Sequence, residues 1–450
     1  MKKIFVSIVV LSLIFTAFQG VPTVGQATIE NELVIISSHS KGILDSYKAA
    51  FEKYCQSVLT KSVTVTYSYY SSEDCYKLAK EWAGKPRADI WWGGGVNLFQ
   101  TGAKEKLLFA YKSKEWAKIP TTYAGIPAKD PDGYWTGYAV SGFGLQIHTD
   151  YLKKYNLPEP KAWTDLLNPA YRGHIVMCTP ARSGSTHMMV EIVLQGMGYD
   201  QGWAYLRKMA ANVGLFTSRS ADVKNDVDKG EHGIGLVVDY YGFDSIAAGL
   251  PIKLVYPSDF SFANPDSIAI LAGAPHPEIA KAFVDYVLGE EGQKLGMGIE
   301  QRGVKCPSPR LPIRTDVAIP PTLPDITKVK MIAFNDTLSN ARYRDVNTVY
   351  ETTIEKKHAE LVDSWKAIET AKKQLDDLKA KGYDVAEALG KTSAAESLFG
   401  KGDYEKAKSE AGAAVGLAKA PPPYEIYAAV IVAIVIIAVA LYMYKKKKAK

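Results

Sequence analysis

Residues 174–197 read His-Ile-Val-Met-Cys-Thr-Pro-Ala-Arg-Ser-Gly-Ser-Thr-His-Met-Met-Val-Glu-Ile-Val-Leu-Gln-Gly-Met. The apolar run His174–Met177 reads as a strand. Cys178–Thr186 is a turn of small hydroxyl residues, one glycine and one arginine, and Met188–Met197 lies in an apolar helix. A strand that breaks into such a turn and enters a helix collects free backbone N–H groups at one point. Those donors, the positive end of the helix dipole and Arg182 suit an oxygen-rich anion. A serine N-cap beside a surface arginine leaves the same trace, so the flanking sequence has to decide.

Upstream the same pattern recurs. Leu33–Ile36 runs into Ser37–Ser40 and the helix Lys41–Leu59, with Ile43, Leu44, Tyr47, Ala50, Phe51 and Tyr54 at helical spacing. Val63–Tyr69 alternates as a strand, and Ser71 with Asp74 has capping-box spacing for the next helix. Ala88–Trp92 turns through Gly93-Gly94-Gly95 into a helix near Val96. Such units make parallel sheets covered by helices, with strand-end loops gathered on one edge.

Tyr138–Ile147 is long, apolar and glycine-containing, and reads as a segment running between two lobes. Beyond the opening stretch, Val213–Phe216 leads into Thr217–Ser220, and Ile234–Val238 into Asp239-Tyr240-Tyr241. Asp266–Leu271 is one more strand, and Pro277–Leu288 is a helix with proline in its first turn. The expectation is an α/β fold of two lobes facing a central cleft, followed by an α-helical stalk and a C-terminal transmembrane helix.

The 450 residues divide accordingly. Residues 1–27 have the Lys2-Lys3 start, apolar run and small-residue end of a signal peptide. Residues 28–346 form the two-lobed domain. In 347–420 the composition turns to Ala, Glu, Lys and Leu. Ile354, Leu361, Ile368 and Leu375 recur every seven residues there, and Gly382 and Gly400–Gly402 separate three helices. Residues 421–450 contain the uncharged run Tyr427–Tyr444, about 27 Å as a helix, ended by Lys445–Lys448. The binding domain is then extracellular, on a single-pass anchor in an envelope without an outer membrane.

The net charge of +6 is modest, and no basic stripe with interleaved aromatics suggests nucleic acid. Four cysteines in an exported chain allow two bridges, and Cys55–Cys75 with Cys178–Cys306 is the preferred pairing. Four small buried thiols are the alternative. Asn335-Asp336-Thr337 matches the glycosylation triplet.

In order and spacing, Glu32–Pro312 resembles extracellular solute-binding proteins of ABC importers, in the branch that includes ferric-iron and small-anion binders. The matching pieces are Ala88–Gly94, Trp163-Thr164-Asp165-Leu166-Leu167, Arg182-Ser183-Gly184-Ser185, Gly235–Tyr241, Asn264–Ser267 and Pro275–Leu288. The resemblance implies a two-lobed protein that closes on a small solute and hands it to a membrane permease, without catalysis or a resident cofactor, and the C-terminal run adds the membrane tether. In ferric binders adjacent tyrosines ligate the metal, and Tyr240-Tyr241 matches that pair, with Fe(III) then the cargo. The first-lobe acid of some relatives falls near Gly94, the crossing segment lacks the arginine that holds a synergistic anion, and Ile147 stands where a further tyrosine is often found.

An oxyanion or organic anion is therefore favoured over iron. The candidate ligand residues are Ser38, His39, Gly94, Ser141, Arg182, Ser183, Ser185, Thr186, Ser218, Asp239, Tyr240 and Tyr241. Trp91, Trp92 and Phe143 are candidates for an apolar wall, and Arg219 for a surface salt bridge. A Ser–His hydrolase from Ser183, Ser185, His187 and His39 lacks a nucleophile elbow, and no cluster has metal-hydrolase spacing. A structural envelope protein is the remaining alternative, suggested by stalk and anchor.

Overall fold

The computed structural model describes residues 29–123, 125–421 and 424–448. The expected signal peptide, 1–27, lies outside them. Lobe one begins with β1 (Glu32–Ser37), α1 (Lys41–Val58), β2 (Thr64–Tyr69), α2 (Ser72–Glu81), β3 (Ile90–Gly95) and α3 (Val96–Lys104). β1 pairs in parallel with β2 and β3. Alternation along the strands decides what each face buries. Leu33, Ile35, Ile90 and Trp92 pack with Tyr47, Phe51 and Cys55 of α1. Ile36 and Trp91 face the other side, with Cys75 of α2 and Phe99 of α3.

The chain then crosses on β4 (Thr136–His148) to lobe two. That lobe holds β5 (Ile175–Cys178), α4 (Gly184–Met197), α5 (Tyr199–Ala210), β6 (Val213–Thr217), α6 (Ser220–Asp228), β7 (Ile234–Val238), α7 (Asp239–Ala247) and β8 (Ile252–Val255). It returns through β9 (Ala263–Leu271) to α8 (Pro277–Leu288) and α9 (Glu290–Gly296), and β10 (Leu311–Pro312) closes back on β4. One sheet runs through both lobes in the order β2-β1-β3-β9-β4-β7-β5-β6. The first part of β4, up to Gly142, pairs with β9, whereas Phe143–Ile147 pairs with β7. The changeover between lobes is therefore one peptide wide.

Three expectations are corrected. Trp91 and Trp92 are fully buried, because β3 is central and covered on both faces, and Phe143 stacks on Phe262. None of them walls a cleft.

The four cysteines are free and buried. Cys55 and Cys75 belong to cores on opposite faces of the lobe-one sheet, which stands between them. Cys178 and Cys306 each direct the thiol at a carbonyl of their own loop, Thr179 and Ser308. Burial pushes the Cys55 and Cys75 thiols up to about 12, which leaves them unreactive at neutral pH.

The expected stalk does not stand off. α10 (Asp336–Ala341), α11 (Tyr343–Tyr350), a π-turn Glu351–Glu355, α12 (His358–Ala380), α13 (Ala386–Gly400) and α14 (Tyr404–Ala414) form a helical unit. The heptad residues Leu361, Ile368 and Leu375 are buried as expected of a seam. Leu361, Trp365 and Ile368 join one core with Trp203, Leu206 and Ala210 of α5. Ion pairs and hydrogen bonds complete the fastening. Arg172 meets Glu369 at 2.7 Å, Arg207 donates to the Gly400 carbonyl at 2.7 Å, and His358 meets the Ala210 carbonyl at 2.9 Å. Arg342 forks onto the buried Glu191 of α4, at 2.9 and 2.7 Å. Asn335 caps α10, its side chain accepting from the Leu338 N–H.

α15 (Tyr424–Lys448) exposes Ile431, Ile434, Ile436 and Ile437. Among the described residues no helix is long and apolar enough to cross a membrane. The single-pass anchor expected at 421–450 is thus not established by the fold.

Candidate functional site

Strand ends and helix starts of both lobes converge where β4 and β9 cross. In lobe two, Ser183 caps α4 and accepts from the Thr186 N–H at 3.2 Å. Its hydroxyl also meets that of Ser220, the first residue of α6, and Ser185 lies 3.0 Å from both. Three hydroxyls thus share one spot at the N-termini of two helices, whose first N–H groups have no partner inside their own helix. Arg182 reaches Ser218 at 3.1 Å and stays half exposed beside them. Thr186 is buried behind the loop, with its side chain towards Cys178. Arg182, Ser183, Ser185 and Ser218 are therefore brought together. Arg219 turns away to fork onto Asp222 on the surface.

In lobe one, Ser38 donates its backbone N–H to the Trp92 carbonyl at 3.2 Å. His39 is buried and lies 2.8 Å from the Tyr138 hydroxyl. Burial, and then the Arg310 charge, hold its imidazole well below the usual histidine range, so it is neutral. Gly93 has φ +95° and a Cβ there would lie 2.7 Å from His39 Nε2, so only glycine lets β3 pass this ring. Gly94, also at positive φ, sits against Ser72.

At the crossing, Ser141 donates to Asp266 at 3.0 Å, and Asp266 pairs with Arg310. Arg310 stands 4.6 Å over the Tyr240 ring, and the Tyr240 and Tyr241 rings lie 4.5 Å apart. Burial raises both phenols, Tyr240 well above its ordinary value. Tyr240 is a neutral hydroxyl packed under a cation, and a phenolate forms there only if a ligand displaces the proton.

Arg310 is the residue that the sequence reading missed. It is 6% exposed, and its Nε has no hydrogen-bond partner among the described residues. The available signal was a single cation between Pro309 and Leu311-Pro312, in a segment otherwise apolar enough to be buried. Of the loop Ser218–Ser220, which the sequence offers as a source of hydroxyls, Ser220 joins Ser183 and Ser185 while Ser218 meets Arg182, a division that spacing alone does not show.

Asp239 accepts from the Gly142 N–H at 2.6 Å and from the Tyr256 hydroxyl at 2.7 Å, which ties α7 to the crossing strand. Burial pushes its carboxyl up to about 6. An acid whose folded pKa exceeds its unfolded one favours the fold while protonated. That share is complete below about pH 4 and is lost as pH rises through about 6. Two units correspond to roughly 3 kcal/mol. Asp239→Asn keeps an acceptor for both donors and does not titrate. Urea unfolding should show wild type gaining roughly 2–3 kcal/mol on this variant between about pH 7.5 and about pH 4. A constant difference over that range contradicts the assignment.

Among the described residues no group of three His, Cys, Asp or Glu side chains is placed to hold a metal. His187, considered for hydrolysis, is buried between Asn347 at 2.9 Å and Ser339 at 3.3 Å, away from any serine of the cluster.

Two α/β lobes joined by crossing strands, with helix N-termini turned to the junction, are the architecture of solute-binding proteins. The chain belongs to the bacterial extracellular solute-binding protein family, whose model matches residues 88–340. It is similar to the phosphoglycerate transport regulatory protein PgtC of Salmonella typhimurium, 31% identical over 243 residues. That match takes 53% of this chain and spans 58% of the relative's length. Among solved structures it resembles the periplasmic binding protein AfuA of Actinobacillus pleuropneumoniae with fructose-6-phosphate bound. There the TM-score is 0.59 and the identity 22%, over 72% of this chain and 99% of the other. Iron-bound HitA of Pseudomonas aeruginosa gives a TM-score of 0.56 at 19% identity, over 70% and 99%. These likenesses show the two-lobed fold.

Proposed function

We propose that the chain captures a small organic anion carrying a phosphate or phosphonate group and delivers it to the permease of an ABC importer. The observation that carries this reading is the cluster of Ser183, Ser185 and Ser220 hydroxyls at two helix starts beside Arg182. Hydroxyls, free N–H groups and a guanidinium fork together match the several oxygens of such a group. The similarity to PgtC, a phosphoglycerate transport regulatory protein, and to AfuA with fructose-6-phosphate bound points to the same chemistry. Closure of the lobes then provides the state a permease reads, and no catalytic group or cofactor is called for.

The helical unit and α15 keep the binding domain at the cell surface in this reading. α15 has apolar side chains exposed along its length and ends in lysines.

Ferric capture through Tyr240 and Tyr241 is the second reading, favoured by the adjacent rings and the likeness to iron-bound HitA. The Arg310 guanidinium above Tyr240 opposes it, since a trivalent cation would bind beside a fixed positive charge.

Thermal unfolding of the full chain with 3-phosphoglycerate, O-phosphoethanolamine, fructose 6-phosphate, inorganic phosphate and ferric citrate tests both. An organic phosphate at about 100 times its Kd should stabilise the chain by about 2.7 kcal/mol. No response to any organic phosphate sinks the first reading. A visible tyrosinate–iron band with ferric citrate, lost in Tyr240→Phe, replaces it with the second.

A further inference from the structure

The family match ends at residue 340, so most of the helical unit comes from outside it. That unit nevertheless touches both ends of the hydroxyl loop. Before the loop, the Tyr350 hydroxyl donates to the Met177 sulfur at 3.1 Å. After it, His187 on the first turns of α4 is held by Asn347 and Ser339, and Glu191 one turn further by Arg342. In between, Arg182 Nη2 lies 4.0 Å from the carboxylate of Glu355. Glu355 closes the π-turn Glu351–Glu355, a five-residue widening between α11 and α12 that sets the direction of its last side chain. In the same turn Glu351 is engaged by Lys356 at 2.7 Å.

We infer that Glu355, supplied by the appended helices, is a specificity-determining residue of the solute site: it selects solutes whose second charged group is cationic over those whose second group is anionic. The inference rests on the phosphate reading above, because it places the solute's phosphate at Arg182 and the serine cluster. A phosphate drawn to Arg182 brings the rest of the solute within a few bond lengths of Glu355. The carboxylate then attracts an ammonium and repels a carboxylate, each by the same Coulomb term with opposite sign. A neutral tail feels neither. Arg182 is half exposed and its contact with Glu355 is long, so this pair leaves the guanidinium free to turn to a ligand.

The sign reversal separates selection from bracing. Affinities of O-phosphoethanolamine, ethyl phosphate and 3-phosphoglycerate would be measured by calorimetry on the full chain, for wild type and Glu355→Gln, at low salt. With ethyl phosphate as reference, Glu355→Gln should bind 3-phosphoglycerate roughly three- to tenfold better and O-phosphoethanolamine roughly three- to tenfold worse. Both shifts should shrink at high salt. If the two ratios move together, or neither moves, Glu355 is a structural residue and the inference is overturned. Tyr350→Phe, which loses the contact with Met177 without changing charge, should leave the ratios where they are. A preference that changes as much in Tyr350→Phe overturns the inference as well. A wild type that binds none of the three compounds overturns the phosphate reading and takes this inference with it.

Discussion

Ser185→Asp should leave the chain at least as stable as wild type and cost it at least about 100-fold in affinity for an organic phosphate. Ser185 is the second residue of α4, where a carboxylate faces the positive end of the helix dipole. There an acid stabilises by about 0.3–1 kcal/mol. The Ser183 and Ser220 hydroxyls are close enough to donate to it. The same carboxylate occupies the ground a phosphate oxygen needs and sets like charge against like, at a cost of several kcal/mol. Ser185→Ala, which removes one donor and adds no charge, should cost only about 1.5 kcal/mol, roughly tenfold. Calorimetric titration with 3-phosphoglycerate, paired with thermal unfolding, reads both effects. Unchanged affinity in Ser185→Asp would place the anion elsewhere.

Arg342→Ala should destabilise the chain by roughly 3–5 kcal/mol. Glu191 is fully buried in α4, and apart from Arg342 its side chain meets the Gln195 amide at 3.0 Å. Removing the guanidinium leaves a carboxylate inside the protein with one neutral donor. Denaturant unfolding of Arg342→Ala measures the loss. The double variant Glu191→Met/Arg342→Leu, which removes both charges and keeps the volume, should recover most of it. If Arg342→Ala unfolds at the wild-type midpoint, the pair does not fasten α4 to the appended helices.

Most of the framework was legible because it follows local rules. Leu33–Ile36 and Ile234–Val238 announce strands by their apolar runs. Ser71 and Asp74 cap α2 at the spacing read from the sequence, with Ser71 accepting from the Asp74 N–H at 3.1 Å. The serine loop 183–186 could be found because strand, turn and helix follow one another in the chain.

What was not legible depends on the third dimension. Arg310 gains its meaning from Tyr240, Asp266 and His39, which lie far from it in sequence. The tryptophans of β3 could not be assigned to core or cleft before it was known that both sheet faces are covered. Cys55 and Cys75 looked like partners because they are near in sequence, yet helices on alternate faces of a sheet keep such residues apart. The heptad seam Leu361–Leu375 gave the helices correctly but not what they lean on, since an apolar stripe is the same whether it meets another stripe or lobe two. Glu355 had no local mark at all.

The crossing strand β4 also determines how the molecule can open. It stays hydrogen-bonded on both sides of Gly142, to β9 before it and to β7 after it. No slack loop is there to let out. Any bending at β4 is therefore taken up as small torsions along a paired strand, which resists it as a spring does, and not by the paying out of a free loop.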